Sequence, residues 1–324
     1  MLQTAETRQI LVVSSSAPLA RAAADVLRQH HVVEEVRSAQ EASAWLGEHR
    51  ADLAVVEVDL RELAQGKAPP ELLSMAERTG TPMLALIRCH EDAPLKVLLE
   101  RSVLPNFIAA REEELDPFEL SVTVAKLFGQ DIFGLEQYLA PGASWKEFPV
   151  TDSAEREPLI RTAHDFALAA GCHPRVAERV SLAADELLSN AIYNAPADGG
   201  QPRFAAFPRT MRVTLEPGEV VRFRLGTDGK RLAVAAMDPF GSLSPATVLH
   251  YLAKCFAGGE DQIDEKPGGA GLGLYSLFNL LHHFVINIEP GRRTEAIGLL
   301  EVSRSYRRFA ARPKSLNIFV SRSR

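Results

Sequence analysis

The sequence predicts an α/β protein with two domains of different architecture. The chain has 324 residues, which at about 150 residues per domain suggests two domains. In the first part, short apolar runs alternate with amphipathic stretches, as in a doubly wound parallel sheet; in the second, two helices precede several strand-like runs. We place a first domain at 1–130, a linker at 131–150, a second domain at 151–303 and a basic C-terminal tail at 304–324.

The first domain is predicted to alternate strands with helices. Its apolar runs are rich in Val, Ile and Leu, as strands buried on both faces must be. Helices are predicted between them, with Pro18 suited to a first helical turn. The predicted strands are 10–13, 32–36, 53–58, 83–87 and 107–109, and the predicted helices are 18–30, 39–49 and 117–127.

The second domain is predicted to pack helices against a mixed or antiparallel sheet. A helix from about residue 155 ends at Gly171, and a longer one opens at Pro174. Asp228-Gly229 is a strong hairpin signal between two of the strands that follow. Those strands are predicted at 211–215, 220–225, 231–237, 284–289 and 296–302.

Composition excludes several function classes. The chain carries 36 basic and 42 acidic side chains, net −6, which weakens the case for nucleic acid. It shows no apolar run of about 18 residues and no signal peptide, so we expect a cytoplasmic protein without a membrane span. The Arg-rich tail is an exception to the net negative charge of the chain. We expect this tail to be a solvated segment, and the alternative is an added edge strand at "LNIFV".

Three polar residues line one side of the second domain's long helix. Glu186, Asn190 and Asn194 in "ADELLSNAIYNA" are spaced i, i+4 and i+8. Mg²⁺ prefers oxygen ligands and keeps several waters, so one asparagine oxygen together with nucleotide phosphates is a coordination set that fits. The alternative is a solvated polar face.

Two further features follow in the same domain. Asp238 ends an apolar strand before a turn through Gly241, where a carboxylate can accept a hydrogen bond from an exocyclic amine such as that of adenine; a simple turn is the alternative. In "GGAGLGLYSLFNLL", glycines precede an apolar helical run, and backbone amides at a helix start bind phosphate. No Gly-Lys-Ser/Thr follows, and Leu274 stands at the last glycine position of the dinucleotide fingerprint.

Together these features resemble the Bergerat-fold (GHKL) ATPases, a group with a two-layer α/β fold. Glu186 and Asn190 look like the N box, Asp238 with Gly241 like the G1 box, and Gly269 to Leu274 like the G2 box. Over residues 150–303 the chain is most similar to the anti-sigma-factor serine kinases of partner-switching systems.

The resemblance implies ATP and Mg²⁺ as cofactors and a role for each matched residue. Glu186 would be the general base and Asn190 the Mg²⁺ ligand, with Asn194 beside them and Asp238 reading adenine. The phosphates would be cradled by Gly269, Gly271, Leu272 and Gly273, with residues 256–268 as a lid.

Two departures from the family pattern matter. The G1 box lacks both glycines expected around Gly241, and Asn194 stands where many relatives have His, Lys or Arg.

The first domain resembles flavodoxin-like response-regulator receiver domains over residues 8–128. Such domains hold a phosphoryl group with acidic residues, a hydroxyl and a lysine, all of which are changed here. Ser14 and Ser15 replace the acidic pair, Glu57 the acceptor aspartate and Ile87 the hydroxyl residue, so we interpret it as a pseudo-receiver. Asp59 as a shifted acceptor, and Glu57 as a mimic of the charged state, are alternatives to a fold kept for docking.

The leading interpretation is an ATP-dependent serine/threonine kinase that also sequesters its signalling-protein partner. The alternative is a non-catalytic module whose partner choice is switched by ATP. A third is a histidine kinase fragment, although His164 is expected to be packed or solvated rather than a phosphoacceptor. We expect no nucleic-acid partner and leave a homodimer open.

Overall fold

The chain divides into two compact units, residues 1–125 and 126–324. The computed structural model describes residues 7–65, 80–89, 104–111, 115–129, 131–198, 201–204, 206–257 and 270–321. Among these residues, no helix has both the length and the apolar character needed to cross a bilayer.

The first unit contains a parallel sheet with the order β2-β1-β3-β4-β5. This is the order of the flavodoxin-like doubly wound fold, which receiver domains share, so the fold predicted for this region is confirmed. The strands are β1 (Gln9–Val13), β2 (Val32–Val36), β3 (Leu53–Asp59), β4 (Met83–Cys89) and β5 (Asn106–Arg111). The helices described here are α1 (Ala17–Leu27), α2 (Ala39–Glu48), α3 (Leu60–Ala64) and α4 (Pro117–Leu127).

Strand position in the sheet decides how the apolar runs are buried. The interior strand β1, which lies between β2 and β3, is covered on both faces, with Ile10, Leu11 and Val12 fully buried. The prediction that all these strands are buried on both faces was wrong for β2, in which exposed and half-buried residues alternate. β2 ends the strand order, so only one flank is paired.

The second unit contains a mixed sheet with the order β13-β11-β12-β10-β9-β6. β13 and β11 run parallel, and the other neighbours are antiparallel. The strands are β6 (Ser144–Val150), β9 (Val221–Thr227), β10 (Arg231–Asp238), β11 (His283–Glu289), β12 (Arg293–Glu301) and β13 (Ser315–Val320), and a separate small ladder joins β7 (Ala197–Asp198) to β8 (Gln201–Pro202).

Helices pack beside this sheet and against one another. Their bounds are α5 (Arg156–Ala169), α6 (Pro174–Ser189), α7 (Pro245–Ala257), α8 (Ala270–Leu280) and α9 (Tyr306–Ala310). α6 contacts α5, α8 and strand β10, while α8 also contacts α7. The amphipathic pattern of α6 explains its central place, because its apolar stripe, including Val176, Val180 and Leu187, is fully buried.

Three predicted segments differ from the structure. Residues 211–215 form no strand and contribute only an isolated bridge between Asp152 and Thr214. The linker at 131–150 contains a 3-10 turn (Leu135–Tyr138) and β6, which pairs with β9. Helix α7 lies in a stretch for which no element was predicted.

The segment interpreted as a basic tail is folded into the second unit. Leu316 and Ile318 of β13 are buried, and the strand runs parallel to β11. Lys314 Nζ donates hydrogen bonds to the carbonyls of Asn279 and Leu281 at 2.6 and 2.9 Å, where a cation at a helix C-terminus is favourable. The added strand, the alternative weighed from the sequence, is therefore what forms.

The turn after β10 packs directly on the β11–β12 hairpin. Gly241 has a φ of +60°, and a Cβ at this position would lie 2.6 Å from the Arg292 nitrogen and 2.8 Å from the Gly291 nitrogen. The Gly291 N–H also donates a hydrogen bond to the Gly241 carbonyl at 3.0 Å. Because the obstructing atoms are backbone, no side chain can be accommodated at Gly241.

We predict that Gly241→Ala lowers the free energy of unfolding by about 3 kcal/mol or more, since it adds a backbone clash to left-handed strain. Gly229→Ala is the matched control, because Gly229 has a φ of +82° but nothing within 4 Å of its Cβ position; about 1 kcal/mol is expected there. Denaturant unfolding followed by Trp145 fluorescence in a Trp45→Phe background measures both, since the chain has 2 tryptophans. Equal losses in the two variants would contradict the clash.

Candidate functional site

The polar rim of α6 continues into a π-helical turn. Residues Asn190–Asn194 form this turn, which closes with a hydrogen bond from the Ala195 N–H to the Asn190 carbonyl at 2.8 Å. Asn194 Nδ2 donates to Asn190 Oδ1 at 2.8 Å. Asn190 Nδ2 is buried and has no hydrogen-bond partner among the described residues. Asn190 and Asn194 therefore lie side by side, and the Asn190 amide retains a donor without a partner among the described residues.

Helix α8 approaches this rim at a glycine. A Cβ on Gly273 would lie 2.6 Å from Glu186 Oε2 and 3.5 Å from Asn190 Oδ1. The predicted glycine loop before the helix is partly wrong, because Gly271, Leu272 and Gly273 lie inside the first turn of α8. First-turn N–H groups have no acceptor within their helix, and the position of Gly273 places this turn beside Glu186. Gly269 and residues 258–268 of the predicted lid lie outside the described residues, and 256–257 belong to α7.

Arg209 forms a two-pronged contact with Glu186 that was not predicted from the sequence. Its Nη1 lies 3.1 Å from Glu186 Oε1, and its Nη2 lies 3.2 Å from Oε2. The Glu186 side chain is 20% exposed and that of Arg209 is 31% exposed. Arg209 lies 23 residues from Glu186 in a segment without helical or strand periodicity, so no sequence signal pairs the two.

The backbone of Arg209 is anchored independently of its guanidinium. Its carbonyl accepts hydrogen bonds from Tyr193 Oη at 3.1 Å and from Arg156 Nη1 at 3.2 Å. Arg156 is held in turn by Asp185, whose Oδ1 lies 2.6 Å from the arginine Nε. The Arg209 side chain can therefore reorient while its backbone stays fixed to the end of α6.

Asp238 is buried at the end of β10 and engaged by backbone donors. Its Oδ1 accepts hydrogen bonds from the N–H groups of Phe240 and Gly241, at 2.9 and 3.2 Å. Burial raises the pKa of the Asp238 carboxyl to about 6, against the lowering effect of these donors and of the Thr294 N–H. A carboxylate offers about four acceptor positions, so three backbone donors leave capacity for one more.

The turn that follows Asp238 is joined to the end of the polar rim. Ser242 Oγ donates a hydrogen bond to the Ala195 carbonyl at 2.9 Å, immediately after the π-helical turn. The Gly273 approach joins the start of α8 to the same stretch. The end of α6 and its π-helical turn thus gather the described parts of the three sequence features.

The described residues include no group of three or more His, Cys, Asp or Glu side chains arranged to hold a metal ion. Asn190 Nδ2, which has no hydrogen-bond partner among the described residues, is a donor that a ligand's oxygen can use. Mg²⁺ needs few protein ligands when phosphates and waters complete its shell.

The first unit carries a largely buried carboxylate at Glu57, the residue that the resemblance to receiver domains matches to their phosphoacceptor. Glu57 Oε2 accepts hydrogen bonds from the hydroxyls of Ser14 and Ser15 and from the Ser16 N–H, at 2.7, 3.2 and 3.1 Å. The Glu57 side chain is 5% exposed, and Arg88 Nε lies 3.3 Å from its Oε1.

Asp59 is engaged in the same cluster. Its Oδ2 pairs with Arg88 Nη2 at 2.5 Å, and its Oδ1 caps α3 by accepting from the Arg61 N–H at 2.8 Å. Both oxygens therefore have structural partners, which disfavours Asp59 as a shifted acceptor.

Comparison with solved structures finds similarity to receiver domains. No protein-family model and no curated protein matches the chain. Part of it is similar to the N-terminal domain of a response regulator/sensory box/GGDEF protein from Carboxydothermus hydrogenoformans, with 17% identity, coverage of 37% of this chain and 94% of that one, and a TM-score of 0.30.

Two other solved structures are similar to the same extent. The chemotaxis response regulator CheY4 of Vibrio cholerae shows 18% identity, coverage of 38% and 99%, and a TM-score of 0.29. A receiver domain of a histidine kinase from Syntrophus aciditrophicus shows 20% identity, coverage of 40% and 99%, and a TM-score of 0.29. TM-scores this low carry no argument about the fold. The fold of the first unit is assigned from its strand order.

We predict that Asp238 makes the protein less stable as pH rises. Its folded-state pKa of about 6 lies above the ordinary value of 3.8, so its stabilising contribution is complete below about pH 4 and is lost as pH rises through 6. The difference in unfolding free energy between wild type and Asp238→Asn should change by on the order of 3 kcal/mol between pH 4 and 7. Denaturant unfolding at several pH values measures this, and a constant difference would contradict the buried carboxyl.

We predict that Arg88→Met lowers the free energy of unfolding of the first unit by about 2 kcal/mol, because it leaves the partly buried carboxylates of Glu57 and Asp59 without their cation. Arg28→Met is the matched control, since Arg28 pairs with Glu35 at a more exposed site and such pairs contribute about 0–1 kcal/mol. Trp45 fluorescence in a Trp145→Phe background reports on this unit. Similar losses in both variants would show that Arg88 does not stabilise the cluster.

Proposed function

We propose that the chain is a signalling protein whose second unit binds ATP with Mg²⁺ in a Bergerat-type pocket and switches its contact with a protein partner. The observation that carries this proposal is the approach of Gly273 to both Glu186 and Asn190. It brings the first turn of a helix, which is suited to phosphate, beside an asparagine oxygen suited to Mg²⁺.

The remaining site residues are consistent with a nucleotide in this position. Asn190 would contribute its oxygen to the metal, and Asn194, now bonded to that oxygen, would turn to the solvent or to phosphate. Asp238 would use its remaining acceptor position for the adenine amine. The packing of residue 241 on the β11–β12 hairpin explains why it is a glycine. Gly241 would therefore contribute by shaping the turn that holds Asp238.

A serine/threonine kinase activity is the leading form of this function. Glu186 lies at the edge of the proposed phosphate position, where it would accept the proton of an acceptor hydroxyl. Mg²⁺ would supply charge neutralisation on the phosphates. The order of the three sequence features and their resemblance to the anti-sigma-factor kinases support this form.

A non-catalytic, ATP-gated module is the second candidate. The observation that favours it is the ion pair in which both Glu186 oxygens face Arg209, because oxygens that already accept hydrogen bonds from the guanidinium are less available to contact an acceptor hydroxyl. In either form, the Glu57 cluster supports a first unit that takes no phosphoryl group and acts by docking.

We predict that Asn190→Ala weakens ATP binding about tenfold in the presence of Mg²⁺, because it removes one metal ligand. The same variant should have little effect in the presence of EDTA. Calorimetric titration of the full-length chain measures both affinities. Ser181→Ala, on the same helix with only a local hydrogen bond to the Glu178 carbonyl, is the control. No binding of ATP to folded wild type would end the proposal.

The two forms of the function are separated by phosphate transfer. Labelled ATP is added to the full-length chain together with a protein that copurifies with it. In the kinase form, Glu186→Gln abolishes labelling without weakening ATP binding. Labelling that survives in this variant would remove Glu186 from its role as base.

A further inference from the structure

We propose that Arg209 binds the terminal phosphate of the nucleotide and that this phosphate competes with Glu186 for its guanidinium. The inference rests on the proposed function and adds to it a residue that confers selectivity for the triphosphate. In this arrangement, ATP itself releases Glu186 from its ion pair, whereas a diphosphate leaves the pair in place.

The position of Arg209 carries the first part of the argument. Its Nη2 lies 3.6 Å from the Cβ position of Gly273, and the same Cβ position is 2.6 Å from Glu186 Oε2. A phosphate bound by the first-turn amides of α8 would therefore lie within reach of the guanidinium without any movement of the backbone.

The chemistry of the contact carries the second part. A guanidinium has a planar fork of donors that fits carboxylate and phosphate in the same two-pronged manner. The contact with Glu186, at 3.1 and 3.2 Å, occupies this fork. A terminal phosphate carries more negative charge than a carboxylate, so it is the stronger competitor for the same donors.

The surroundings of Arg209 distinguish it from the neighbouring arginine. Arg156 uses Nε on Asp185 and Nη1 on the Arg209 carbonyl, so its role is to fix the backbone. The Arg209 side chain is 31% exposed, and its guanidinium contacts the side chain of Glu186 rather than a backbone carbonyl. Asn194 is neutral and donates to Asn190, so among the described residues that contact Glu186 or Asn190 it is Arg209 that carries positive charge.

The test compares ATP and ADP affinities of the full-length chain by calorimetry with Mg²⁺. Arg209→Met should weaken ATP binding about 10- to 100-fold, the range for hydrogen bonds to charged groups, and ADP binding by less than about threefold. Arg209→Lys keeps the charge but loses the fork, and an intermediate loss is expected. Arg212→Met is the matched control, because Arg212 lies on the same segment with its own partner, Asp152.

Glu186→Gln separates competition from a merely structural ion pair. Competition predicts that this variant binds ATP more tightly than wild type, and that the Glu186→Gln/Arg209→Met double variant behaves like Arg209→Met. A structural pair predicts that both single variants weaken ATP and ADP binding alike, and that outcome would overturn the inference. That outcome is compatible with ATP binding by wild type, so the proposed function would stand. Failure of wild type to bind ATP would end the proposed function as well.

Discussion

The close approach of α8 to α6 at Gly273 is the constraint on which the candidate site depends. A glycine within a helix costs about 1 kcal/mol relative to alanine, yet a Cβ here would lie 2.6 Å from Glu186 Oε2. In the observed rotamer of Glu186, the carboxylate can lie against α8 because Gly273 has no side chain. The glycine thus lets the first turn of α8 approach the carboxylate and the Asn190 amide at the candidate site.

The antiparallel ladder between β10 and β12 supplies the other side of the site. Its register runs from Arg231 opposite Glu301 to Asp238 opposite Thr294, so the strand delivers Asp238 to the turn. The carboxyl is buried there although burial raises its pKa, and the turn is held by Gly241 against the neighbouring hairpin. The hydrogen bond from Ser242 to Ala195 then joins this turn to the helix end. The sheet therefore positions Asp238, and helix α6 positions the polar rim to which the turn after Asp238 is bonded.

The sequence predicts the parts of this structure that have strong periodicity. Helices α5 and α6 and the strands on either side of Asp228-Gly229 follow from apolar spacing and turn chemistry, and the spacing of Glu186 and Asn190 follows from the helix. Residues 211–215 alternate like a strand but find no partner beyond one bridge, because pairing depends on neighbours distant in sequence. The contact between Arg209 and Glu186 has the same origin, since it is created by the path of an aperiodic segment.

Both units pair a carboxylate with an arginine, and exposure separates their consequences. Glu57 is 5% exposed and also accepts hydrogen bonds from three consecutive serines. An anion that drew Arg88 away would leave this largely buried carboxylate without its cation, which is costly. Glu186 and Arg209 are 20% and 31% exposed and meet beside Gly273 in the first turn of α8. An incoming anion can replace the carboxylate there while solvent and neighbouring donors satisfy Glu186. The first pair therefore behaves as fixed structure, and the second has the properties of an exchangeable contact.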